Sequence, residues 1–139
     1  MNRNILAGAV VFGLFAVQSV QAELPAPIQL TEEQLIDHAI AQAKLAMDAT
    51  TMSRAKPLLQ RAANCLIGRD SGYFVVGAGG PCNSRINLTT SIANKQKRDL
   101  VTDAYNKLLG ASGKADLQEA QDSAEDAIAM LEEAKEVTD

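Results

Sequence analysis

Apolar and small residues recur every three or four positions along four stretches of this chain. The one long interval where that rhythm fails is dense in glycine and flanked by the only two cysteines. A period near 3.6 dictates amphipathic helices, each of which must bury one face against another. The expected fold is therefore all-α: an antiparallel four-helix bundle with one long disulfide-closed loop between its second and third helices. With no Trp, three Phe and two Tyr, the core falls to aliphatic side chains and alanine, which lets helices approach closely.

The first predicted helix opens on a capping box, in which Thr31 accepts from the amide of Gln34 while Gln34 reaches back. Glu32 and Glu33 suit its positive first turn. Leu35, Ile36, Ala39, Ile40, Ala43, Ala46 and Met47 then share one face, and the helix ends near Ala49. The second has Thr51 or Ser53 as cap, Pro57 near its first turn, and Leu58, Leu59, Ala62, Ala63, Leu66 and Ile67 as its buried face, with Gly68 closing it. The third is predicted from Thr89 or Thr90 through Ile92, Ala93, Leu100, Val101, Ala104, Tyr105, Leu108 and Leu109 to a stop at Gly110, its apolar stripe interrupted by Lys95, Lys97 and Arg98. The fourth begins within 112–115 and carries Leu117, Ala120, Ala124, Ala127, Leu131 and Ala134.

Residues 1–22 have the layout of a cleavable secretory signal: Arg3, an apolar run over 5–17, and the small residues of Val20-Gln21-Ala22 before the cut. The apolar run is short for a membrane span, so residues 23–139 are expected as a single helical domain, exported and not membrane-spanning after cleavage. The compact signal points to the periplasm of a Gram-negative bacterium. In that oxidising compartment Cys65 and Cys82 read as a structural disulfide rather than as a redox or metal-binding pair, since their spacing is far wider than Cys-x-x-Cys. Closing a loop of this size adds about 3 kcal/mol in the chain-entropy account.

The formal net charge of -4 argues against a nucleic-acid partner, which wants a basic footprint. Nine acids and two bases fall in 114–139, against eight acids and ten bases in 23–113. Glu119, Asp122, Asp126 and Glu133 share one face of the fourth helix, read as a solvated face, with docking of a basic partner, pairing with Lys95, Lys97 and Arg98, or weak divalent-cation binding as alternatives.

Within the loop over 69–88, the run Tyr73, Phe74, Val75 and Val76 has two readings: a plug over the open end of the bundle, or a contact site for a partner. The lone His38 is a weak metal candidate, because one imidazole seldom makes a site and no Glu stands three residues before it. Pairing of His38 with Met47, Met52 or Met130 around haem or copper is the remaining version. No nucleophile elbow or phosphate loop occurs, and Gly77-Ala78-Gly79-Gly80 lacks the Lys that phosphate binding needs, so neither catalysis nor a cofactor is expected.

The segment Leu58-Leu59-Gln60-Arg61-Ala62-Ala63-Asn64-Cys65-Leu66-Ile67-Gly68, followed by Phe74 and Pro81-Cys82, resembles an uncharacterised family of small exported helical proteins with an Asn-Cys-Leu-x-Gly and Pro-Cys cysteine pair. The resemblance implies an exported bundle with paired cysteines. Members often carry several histidines on the first two helices; here only His38 is present, and Gln60 and Arg61 stand where histidines are expected. The expected role is binding or accessory, toward a protein or small ligand, with a metal or haem carrier and an envelope-stress chaperone as alternatives.

Overall fold

The computed structural model describes residues 26–138, and every regular element among them is helical. The order is α1 (Glu32–Met47), α2 (Met52–Ile67), the single turn α3 (Leu88–Ser91), α4 (Lys95–Ser112) and α5 (Leu117–Glu136), with a 3-10 turn at Val76–Ala78 between α2 and α3. The expected signal, residues 1–22, lies outside the described residues.

The caps of α1 and α5 are local chemistry. At α1, Gln34 N donates to Thr31 Oγ1 at 3.1 Å and Thr31 N donates to Gln34 Oε1 at 2.9 Å, completing the capping box. At α5, Glu119 N donates to Asp116 Oδ1 at 2.9 Å. Thr51, the first of the two expected caps of α2, accepts from Arg54 N at 3.3 Å. Pro57 corrects an expectation: α2 begins at Met52, so Pro57 stands beyond the first turn, where it leaves the Ser53 carbonyl without its usual amide. Ser53 is exposed, so water can satisfy that carbonyl.

The third predicted helix is two helices. Asn87, not Thr89 or Thr90, starts the first: its Oδ1 accepts from Thr89 N at 3.1 Å and from Thr89 Oγ1 at 2.6 Å. After one turn the chain extends at Ile92, whose side chain is buried, and Asn94 caps α4 by accepting from Lys97 N at 3.1 Å. Arg98 reaches back across the break, its Nη1 donating to the Ile92 carbonyl at 2.7 Å. Gly110 does not end α4. An exposed helical glycine costs only about 1 kcal/mol relative to alanine, and the buried Ala111 and Ser112 beyond it reward another turn.

α1 packs against α2 and α5, and α4 packs against the same two, whereas α2 and α5 meet only marginally. The α5 seam of Ala120, Ala124, Ala127, Leu131 and Ala134 is wholly buried, as is nearly the whole expected face of α1. Leu58 of α2 is only half-buried. Gln121 Nε2 of α5 donates to the carbonyls of Met47 at 2.7 Å and Ala49 at 2.9 Å, serving the orphaned C-terminal end of α1. Lys97 and Glu32 join the starts of α4 and α1 at 2.6 Å with the lysine side chain only 15% exposed. Asp37 accepts a hydrogen bond from Lys135 at 2.5 Å, which pushes the lysine pKa above its ordinary value. No helix among the described residues is long and apolar enough to cross a membrane.

Candidate functional site

The chain leaves α2 at Gly68 and needs twenty residues to reach α3, and those residues are held by side chains on the last turns of α2. Cys65 and Cys82 form a disulfide, both half-cystines being buried. Asn64, one residue earlier and 2% exposed, pairs with the loop as a backbone strand would: its Nδ2 donates to the Val75 carbonyl and its Oδ1 accepts from Val75 N, both at 2.9 Å. Arg61, one turn earlier, donates from Nε to the Ala78 carbonyl at 2.6 Å.

Two glycines are required by geometry. Gly68 has φ of 72°, and a Cβ there would stand 2.7 Å from the Ile86 carbonyl oxygen. Gly80 has φ of 106°, and its Cβ would meet Arg61 Cγ at 2.9 Å. The loop's outer end is tied down by Arg69 N donating to the Ser84 carbonyl at 2.7 Å. The entry segment joins it, with Ile28 N donating to the Asn83 carbonyl at 2.9 Å and Asn83 Nδ2 to the Ala26 carbonyl at 3.0 Å.

This scaffold sorts the apolar run residue by residue. Phe74 packs against the core and Val75 is half-buried, whereas Tyr73 is 76% exposed and Val76 is 57% exposed. Tyr73 also stands near Tyr105 of α4. Burial, and secondarily Tyr73, raise the Tyr105 phenol above its ordinary pKa.

Charge is segregated over the same regions. Between Thr51 and Arg98 there are eight basic residues and a single acid, Asp70; from 99 to 138 there are ten acids and three bases. α2 has no acid in it. Asp70 pairs with Arg85 at 3.6 Å on the exposed surface. Arg54 and Lys56 are exposed, and their side chains have no hydrogen bond or ion pair among the described residues.

The acidic face of α5 does not pair with Lys95, Lys97 or Arg98, contrary to one of its expected readings. Those bases are held by Asp99, Glu32 and the Ile92 carbonyl. Asp126 instead meets Lys107 at 2.9 Å and Glu119 meets Lys114 at 3.6 Å, while Asp122 accepts from Gln118 at 2.8 Å. His38 lies half-buried on α1. Met47 is nine residues further along that helix, about 13 Å by the helical rise, which is too far to share a metal ion's coordination sphere. Among the described residues no group of three or more His, Cys, Asp or Glu is gathered for a metal ion.

Asn64 and Arg61 are the positioning residues that sequence reasoning missed. The signal was present as a polar Asn beside a cysteine within a segment, 62–67, otherwise made of Ala, Leu and Ile. Fold and site together define an all-α protein that displays two apolar side chains on a disulfide-clamped loop. Comparison with protein-family models, with curated proteins and with solved structures finds no match to this chain.

Proposed function

We propose that this is an exported, periplasmic protein that works by contact rather than by catalysis, with the loop at 73–76 as its contact site. The observation that carries this reading is the division within the loop: Phe74 is spent on the core while Tyr73 and Val76 are held outward. A loop that served only as a plug would turn its largest apolar groups inward. Asn64, Arg61 and the disulfide keep the backbone in place, so a partner would meet a surface that needs little ordering on binding.

The framework in this reading is an antiparallel four-helix bundle of α1, α2, α4 and α5, with α3 as a stub. Its support is pairwise. Asp37 meets Lys135 and the α1 end at Met47 meets Gln121, so residue numbers rise along α1 as they fall along α5. Asn94 bonded to Thr138 and Lys107 to Asp126 give the same sense for α4 and α5. The disulfide fits an oxidising compartment, and the resemblance of the Asn64 to Gly68 segment to exported helical proteins favours the same address.

The test is crosslinking capture from an envelope fraction with the wild-type chain and with Tyr73→Ser/Val76→Ser. The expected result is a captured partner that the double variant loses while its melting temperature stays unchanged. Capture that is indifferent to both substitutions contradicts the contact site.

A further inference from the structure

We propose that the side of the molecule formed by α2 and its following loop docks on an anionic phospholipid surface. The inference rests on the contact reading of the loop and names the partner. The two most exposed large apolar residues, Tyr73 and Val76, lie on one continuous stretch of chain with Arg54 and Arg61. Tyr73 and Val76 project from the loop, and Arg61 beneath it donates only to a neutral carbonyl, so its positive charge is retained. Arg54 lies seven residues before Arg61, on the same face of α2 and about 10 Å along its axis, and has no ion pair among the described residues.

The acids are arranged to permit this. α5 carries seven of the seventeen acids and meets α2 only marginally, so the most acidic helix faces away from the cationic one. The negative net charge of the whole chain is then no obstacle. At physiological ionic strength fields are screened beyond about 8 Å, and a flat anionic surface feels the near side of the protein.

Charge alone would serve an acidic protein equally. The apolar pair decides for lipid. A tyrosine ring partitions to the headgroup level, and an aliphatic side chain beside it can enter the acyl boundary while arginine and lysine meet the phosphates. Each such cation strengthens attachment about fivefold.

The test is vesicle co-sedimentation of the chain from Glu23, which contains every described residue and omits the apolar 5–17 run that would bind lipid by itself. The expected result is sedimentation with phosphatidylglycerol-containing vesicles, release by salt, and none with pure phosphatidylcholine. Arg54→Glu and Tyr73→Ser/Val76→Ser should each weaken binding about tenfold or more, with unchanged melting. Glu125→Lys/Glu133→Lys on α5 should not weaken it.

No sedimentation with anionic vesicles at low salt overturns the proposal, as does binding that neither variant disturbs. Binding lost on charge reversal yet indifferent to Tyr73→Ser/Val76→Ser overturns the proposed mode of docking, because the apolar pair that decided for lipid then takes no part. If vesicles are not bound but envelope capture still depends on Tyr73 and Val76, only the lipid assignment falls; if neither depends on them, the contact reading falls as well.

Discussion

Along α5, Ala120, Ala124, Ala127, Leu131 and Ala134 are wholly buried, so that helix is held by close packing spread over five positions on a single face. Between Gly68 and α3 the means of support are different: one disulfide, one asparagine paired with Val75, one arginine on Ala78, and two glycines that let the chain pass. Packing of the first kind is dense and non-directional, and its failure at one point is felt by the whole domain. Pins of the second kind are directional and few. They fix a backbone without requiring every side chain to turn inward, which is how Tyr73 and Val76 can stay outside.

The contrast is broken most severely from the helical side. Leu131→Ala empties a fully buried position between closely packed helices and should cost about 4 kcal/mol, within the usual range for such truncations. Urea unfolding should show a lowered midpoint with an unchanged slope. Removing both half-cystines, Cys65→Ala with Cys82→Ala, should cost about 3 kcal/mol through the unfolded chain, with the far-ultraviolet helical signal of the folded state retained.

Asn64→Ala comes next. It strands the amide and carbonyl of Val75 and should cost about 2 kcal/mol, again with helix content intact. The smallest effect sharpens the contact between the two regions. Tyr73→Phe leaves Tyr105 as the sole phenol, and absorbance titration should show it ionising above the ordinary tyrosine value because of its burial. Since the folded state favours the protonated phenol, stability should be unaffected below about pH 10 and fall as pH rises through the folded-state value. Tyr105→Phe should remove that part of the fall.

What was legible in the sequence follows the same division. The capping box at Thr31 and the buried face of α1 could be read directly, because cap, partner and periodicity all lie within a few residues of one another. The disulfide was legible from the cysteine count and the expected export. The break before α4 was not, since it depends on Ile92 finding a place in the core and on Arg98 reaching back to its carbonyl. Gly110 misled for a related reason: whether a glycine ends a helix depends on what the residues beyond it can bury, here Ala111 and Ser112.

In the loop, the opposed fates of Phe74 and Val76 had no periodic signature. They are set by Asn64 gripping Val75 from eleven residues away, a geometry that exists only once α2 has formed. The segregation of charge was half legible. The acidic C-terminal segment stood out, but the basic stretch from Thr51 to Arg98 acquires meaning only when α2 and α5 prove to be non-neighbours.

The central claim is that pins rather than packing hold the loop, and amide hydrogen exchange on Cys65→Ala/Cys82→Ala under native conditions tests it most directly. Protection at Arg69 and Val75 should drop well below that of the intact protein, while the central amides of α1, α2, α4 and α5 exchange only through global unfolding, at the reduced stability of the variant. Loop amides that keep their protection, or that lose it only in step with the helices, would contradict the account.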